Sequence, residues 1–226
     1  MTTISFDDVG AGPPIVLVHG FASNRTVNWK NTGWYKYLTS MGRRVIALDL
    51  RGHGASHKYH GIESYHPDRM TGDIIGLMDS LDIDRADVMG YSMGAWLSAH
   101  LLANWPDRFR SGILGGIGDN LLRWQNRDER MANALSVKLP SAISDVYLRA
   151  LMACTRGVYA TGAPGLERIT RPVLIVGGDL DTVVGAPHEF AKKIPGAVVD
   201  IIPGRDHMSL VLARAFKRSV GEFLAK

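Results

Sequence analysis

Residues Asp84 to His100 read DRADVMGYSMGAWLSAH. The apolar pair Val88-Met89 runs into Gly90-Tyr91-Ser92-Met93-Gly94, and an alanine- and leucine-rich segment follows without a break. One serine therefore stands between two glycines where a strand must become a helix. Such a corner forces its central residue into a strained conformation and pushes the side chain outward, and flanking glycines relieve the crowding. The N-terminal N–H groups of the new helix point toward whatever lies beside the serine and favour a developing negative charge. The pentapeptide is a way of presenting a nucleophile.

The surroundings of this stretch set the fold class. Short apolar runs end the segments Pro13 to Gly20, Arg43 to Leu50, Phe109 to Ile117, Arg171 to Asp179 and Ala197 to Pro203. Val/Ile/Leu runs without polar alternation suit strands covered on both faces, as in parallel sheets. Helical patterns lie between them, near Trp34 to Met41, Pro67 to Leu81, Met93 to Asn104, Pro187 to Lys193 and Ser209 to Ala225. Alternating strand and helix predicts an α/β fold with a doubly wound, mostly parallel sheet. The opening ISFDDVGAG adds a candidate antiparallel edge strand. From Asp119 to Thr170 the rhythm breaks: no strong strand signal appears, and NLLRWQNRDERMANAL and SAISDVYLRALMACTRGVY read as helices. The expected organisation is a core of residues 1–118 and 171–226 with a small helical insertion at 119–170.

Length and composition limit the alternatives. The chain has 226 residues, enough for one sizeable core. No apolar run approaches the roughly 18 residues of a membrane span. MTTISFDDVGAG lacks the basic start and apolar core of a secretion signal. Cys154 is the single cysteine, so no internal disulfide forms. Both features point to a cytoplasmic protein without a membrane partner. The net charge is +4, but the basic residues are scattered, with no denser cluster than Arg43-Arg44 or Lys217-Arg218. A nucleic-acid footprint would need a basic arm or stripe. His57, His60 and His66 lie close together without an acidic or cysteine partner, which reads as a solvated loop and no metal site.

A serine hydroxyl is a poor nucleophile until a base takes its proton and a carboxylate orients that base. The run Arg171 to Asp179 leads into GGDLDTVV, with Asp179 and Asp181, and the run Ala197 to Pro203 leads into PGRDHMSL, with His207. Serine, acid and histidine, each following a strand in that order, is the order expected on this architecture. At LVHGFASN, the backbone N–H of Phe21 stands where it can join that of Met93 in holding an oxyanion. His19 reads as a residue shaping that loop, and His53 as structural.

These motifs together resemble the α/β-hydrolase fold superfamily. The resemblance rests on His19-Gly20-Phe21, DLRGHGAS at Asp49 to Ser56, GYSMG at Gly90 to Gly94, GGDLDTVV at Gly177 to Val184 and DHMSL around His207. It implies an acyl-serine mechanism on Ser92 with His207 as base, no cofactor, and the insertion as a cap. Its spacing within the acid loop selects Asp181 over Asp179, with Asp119 as the other acid used by some members. One departure is Asp206, where glycine often precedes the histidine. Trp29, Trp124, Tyr147 and Met152 are the expected pocket residues. The expected activity is cleavage of a small carboxylic ester by a monomer or homodimer. Lactone or carbon–carbon bond hydrolysis by the same triad, or ligand binding with little turnover, are the alternatives.

Overall fold

The structure, a computed structural model, describes residues 4–126, 144–159 and 162–226. The strands are β1 (Phe6–Val9), β2 (Pro14–Val18), β3 (Arg44–Leu48), β4 (Ala86–Tyr91), β5 (Phe109–Gly115), β6 (Val173–Gly178) and β7 (Val198–Ile202). The helices are α1 (Trp34–Ser40), α2 (Pro67–Ser80), α3 (Met93–Asn104), α4 (Asp145–Gly157), α5 (Pro187–Ala191) and α6 (Arg214–Leu224). One sheet runs in the order β1-β3-β2-β4-β5-β6-β7. β1 pairs antiparallel with β3, and every other pairing is parallel.

Period-2 geometry sends successive side chains to opposite faces, and both faces are covered. Val16, Val18, Ile46, Leu48 and Val88 pack on one side with Met70, Ile74 and Trp96. Ile15, Leu17, Val45, Ala47 and Met89 pack on the other with Trp29, Trp34, Leu38 and Phe216. That is why the runs show no polar alternation. α3 is buried along nearly its whole length, so its sequence is apolar all round rather than amphipathic.

β2 lies between β3 and β4, so the strand order reverses there. In open sheets of this kind ligands bind beyond the carboxyl ends of the strands, at such a switch point. The turn after β2 carries Gly20 and Phe21, and the turn after β4 carries Ser92.

Among the described residues of 119–170 no strand occurs. A 3₁₀ turn covers Asp119–Asn126, α4 follows, and a second 3₁₀ turn covers Leu166–Arg168. The helix expected from 120 to 135 lies mostly outside the described residues. α4 is capped by Ser144, whose hydroxyl accepts the N–H of Tyr147 at 3.3 Å. It packs over the start of α3: Cys154 Sγ is 3.8 Å from Met93 Sδ, and Trp96 Nε1 donates to the Val158 carbonyl at 3.3 Å. The single helix expected from Ser209 to Ala225 divides at Ala213, whose backbone is extended, into a 3₁₀ turn Leu210–Leu212 and α6. Among the described residues, no helix is long and apolar enough to cross a membrane.

The DLRGHGAS loop is fastened by a bidentate pair, Arg51 Nε to Asp73 Oδ2 at 2.6 Å and Arg51 Nη2 to Asp73 Oδ1 at 2.7 Å. Both side chains are under 10% exposed, at 7% and 9%. Breaking a buried pair leaves an uncompensated charge and costs about 3–5 kcal/mol. Asp73→Asn is expected to lower the urea midpoint correspondingly with an unchanged m-value. A midpoint within error of wild type would remove this pair from the stabilising contacts.

Candidate active site

The corner between β4 and α3 has the conformation its sequence anticipates. Ser92 sits at φ 54 and ψ −116. A non-glycine residue in this region carries about 1–3 kcal/mol of strain, which its surroundings must over-determine. Ser92 N–H donates to the Gly115 carbonyl at 2.8 Å, and the Ser92 carbonyl accepts from Trp96 at 3.1 Å. The flanking glycines are required by close approach. A Cβ on Gly90 would stand 2.1 Å from the Gly94 carbonyl oxygen, and one on Gly94 would stand 2.0 Å from that of Val18.

Three separate loops meet at this corner. His207 Nε2 is 3.0 Å from Ser92 Oγ, and His207 Nδ1 is 2.7 Å from Asp181 Oδ2. Asp181 is 8% exposed, and its other oxygen accepts the N–H groups of Val183 at 2.9 Å and Val184 at 3.3 Å. An ionised carboxylate only accepts, so His207 Nδ1 carries the proton and Nε2 is left to accept from the serine hydroxyl. The other two candidate acids lie elsewhere. Asp179 accepts from Arg205 N–H at 3.3 Å. Asp119 accepts from Ala186 N–H at 2.7 Å, while Asn120 N–H donates to the Val184 carbonyl at 3.0 Å. Asp119 thus laces the end of β5 to the acid loop. Asp206 closes the turn around His207, accepting from the Ser209 hydroxyl at 2.6 Å and the N–H groups of Ser209 at 2.8 Å and Met208 at 3.1 Å. The Ser209 hydroxyl and N–H hold its carboxyl below the usual carboxylate range. Glycine is unnecessary there because the carboxylate itself makes the turn.

The loop after β2 is clamped at one residue. His19 Nε2 accepts the Leu50 N–H at 3.0 Å, which leaves the proton on Nδ1, and Nδ1 lies 2.7 Å from the Gly20 carbonyl oxygen. The Gly20 N–H donates to Asn28 Oδ1 at 2.9 Å. In a trans peptide the carbonyl and the next N–H point opposite ways. Holding the Gly20 oxygen toward buried His19 therefore turns the Phe21 N–H away from the core. No described residue accepts that N–H. Met93 is the first residue of α3, where N–H groups have no partner within the helix. The sequence reading placed His19 in this role but missed Asn28, whose only signal is one amide between Val27 and Trp29.

A cavity of about 270 Å³ opens beside Ser92 and His207, walled by Phe21, Val27, Tyr91, Val211 and Leu212. Its walls come from the turn of Thr26–Lys30 and the 3₁₀ turn after His207, not from α4. The pocket assignment of Trp29 is corrected. That indole is fully buried and stacks edge-on against Trp34 at 6.1 Å, because the turn that shows Val27 to the cavity aims the next aromatic at the sheet. Tyr147 borders a neighbouring cleft with Asn24, Gly54 and Lys58, and Met152 is not among the described residues around the cavity. The Trp124 side chain lies outside the described residues. Among these residues no group of three metal-ligating side chains occurs.

Three outcomes follow from this geometry. Trp29→Phe is expected to lower the melting temperature and leave binding of a small apolar probe in the cavity unchanged. Leu212→Ala is expected to admit a larger probe, since a pocket contact is worth about 1–3 kcal/mol of discrimination. Altered probe binding in Trp29→Phe would return the indole to the pocket. The third outcome concerns pH. Burial lowers His19 and His100 from 6.5 to about 4, and His53 to about 3. Between 6.5 and those values the unfolded chain binds protons that the folded chain does not, so stability is lost as pH falls through that window. The urea midpoint is expected to drop between pH 7.5 and 4.5, and a flat midpoint would contradict neutral, buried imidazoles.

Residues 13–135 match the alpha/beta hydrolase fold family. A 2-hydroxy-6-oxo-2,4-heptadienoate hydrolase of Pseudomonas putida is 39% identical over 109 residues, which is 48% of this chain and 39% of that protein. Epoxide hydrolase 2 of Siraitia grosvenorii is 34% identical over 103 residues, 46% of this chain and 32% of that one. The matched stretch thus spans less than half the length of either relative. The crystal structure of a hydrolase from Pseudomonas aeruginosa PA01 superposes with a TM-score of 0.79 at 25% identity, covering 100% of this chain and 95% of that one. The strand order, the strained serine corner and the matched stretch that contains it agree: the chain belongs to the alpha/beta hydrolase fold family.

Proposed function

We propose that the protein is a serine hydrolase that cleaves a small carboxylic ester through an acyl-enzyme on Ser92. The observation that carries this reading is the unbroken chain Asp181–His207–Ser92, at 2.7 and 3.0 Å, beside an apolar cavity. Ser92 Oγ attacks the ester carbonyl carbon as His207 Nε2 takes its proton. The oxyanion is held by the N–H groups of Phe21 and Met93, each such donor being worth about 3 kcal/mol. Collapse breaks the bond to the alcohol, which leaves with the proton from His207. Water then repeats the sequence on the acyl-enzyme, with His207 taking its proton and returning one to Ser92. Asp181 fixes the tautomer and stabilises the imidazolium. A cavity of about 270 Å³ suits short acyl or small aryl groups. The stretch 119–170 is assigned as a cap, on the support of α4 packing against Met93.

A second reading is favoured by the Pseudomonas putida relative. The same triad can attack a ketone carbonyl and release a carbanion that is protonated as the carbon–carbon bond breaks. Epoxide opening is disfavoured, because a covalent alkyl-enzyme route needs a carboxylate where Ser92 stands.

Nitrophenyl esters of graded acyl length, run beside lactones and a 2-hydroxy-6-oxodienoate, separate these readings. The expected result is fastest turnover of the short esters. Preference for the dienoate would establish the second reading, and covalent labelling without turnover would make the protein a binding member of the family. Ser92→Ala is expected to lower turnover by about 10⁴–10⁶. Asp181→Asn is expected to lower it by about 10³–10⁴, with Asp179→Asn losing far less. An active Ser92→Ala variant would overturn the assignment.

A further inference from the structure

Tyr91 joins the nucleophile to the base in a way that the reaction scheme does not use. It precedes Ser92, and its side chain is 5% exposed. Its ring fills a niche left by two glycines, the last residue of β5 and the one after it. A Cβ on Gly116 would meet Tyr91 Cζ at 2.9 Å, and one on Gly115 would meet Cδ2 at 3.0 Å. Phe216 packs on the ring from α6, with centroids 6.4 Å apart. The hydroxyl, fixed by this packing, donates to the backbone carbonyl of His207 at 2.6 Å. The two rings lie 5.6 Å apart.

The turn that carries His207 is tied to the core three residues on by the buried Leu210 side chain and by the Trp34 Nε1 bond to the Val211 carbonyl at 2.9 Å, and at His207 itself by Tyr91. Met208 is 78% exposed, and the bonds made by Asp206 all close the turn upon itself. Arg205 bonds to the acid loop through Leu180 N–H and Asp179, which ties one outer loop to another. The imidazole is gripped at its two nitrogens, but a ring held only there still tilts as its main chain shifts. We propose that Tyr91 is a positioning residue: its hydroxyl ties the main chain of His207 to the strand that carries Ser92 and so sets the distance between base and nucleophile. One peptide bond separates Tyr91 from Ser92, so the packed phenol ring acts as a rigid spacer between them. Burial pushes the phenol far above its ordinary value, with the charges of Asp181 and Asp206 adding to the effect, so it remains a donor across the working pH range.

The inference rests on Ser92 being the nucleophile and His207 its base, and the test separates the two. The rate of Ser92 modification by a fluorophosphonate is measured for wild type, Tyr91→Phe, His207→Ala and the double variant, with melting temperatures for all four. Misplacement of a catalytic group by a fraction of an ångström to an ångström costs about ten- to a hundredfold. Tyr91→Phe is expected to slow modification by that factor while the protein stays folded at the assay temperature, the lost hydrogen bond lowering the melting temperature by only a few degrees. In the His207→Ala background the same change is expected to have no effect, because no base remains to be positioned. The far-downfield proton NMR signal of His207 Nδ1 is expected to broaden in Tyr91→Phe. An unchanged rate for Tyr91→Phe would overturn the proposal. So would an equal fold-loss in both backgrounds, which marks a general structural effect. A wild-type protein left unmodified at Ser92 would overturn the nucleophile assignment, and the positioning role with it.

Discussion

The close approach of α3 to the end of β2 is the contact on which the site depends. Gly94 lies so near the Val18 and His19 carbonyls that a Cβ there would stand 2.0 and 2.6 Å from their oxygens. This contact sets the strand-to-helix corner against the loop that carries Phe21. It fixes the relation between the serine corner and one of its two candidate oxyanion donors. The strain at Ser92 is stored because main-chain bonds on both sides, to Gly115 and Trp96, leave the corner no other path.

The remaining parts of the site are held from outside this corner, each by a different device. A neutral imidazole, His19, clamps the Gly20 carbonyl, and burial keeps it neutral by lowering its pKa to about 4. A carboxylate, Asp119, laces the acid loop to β5. A phenol, Tyr91, reaches across to the main chain of His207. The buried ones, His19 and Tyr91, raise the cost of disorder, because losing one partner leaves the other unsatisfied. The three devices hold three loops to tolerances that loop backbones alone do not supply.

Much of this was legible in the sequence because it rests on local rules. A strand covered on both faces must be apolar throughout, so β2 to β6 show as runs. A serine at a strained corner needs glycines about it, so Gly90 and Gly94 mark Ser92. The order of the motifs placed Asp181 and His207 after successive strands. The misread or missed residues depend on directions that sequence spacing does not encode. Trp29 follows the cavity residue Val27 by two positions, and the tight turn of Thr26–Lys30 sends its indole into the core. Asn28, Asp119 and Tyr91 act through contacts 8, 67 and 116 positions away along the chain. No local periodicity reports such distances. The break at Ala213 is a single extended residue in an otherwise helical pattern.

A covalent acyl intermediate on Ser92 is the central claim, and rapid acid quench tests it most directly. The protein is mixed with a nitrophenyl ester, quenched within the first turnovers, and analysed as intact protein and as peptides by mass spectrometry. One acyl group per chain, confined to the peptide containing Ser92 and absent from Asp181→Asn at the same mixing time, is the expected result. Turnover with no acyl group on Ser92 at any quench time, or an acyl group on another residue, would contradict it.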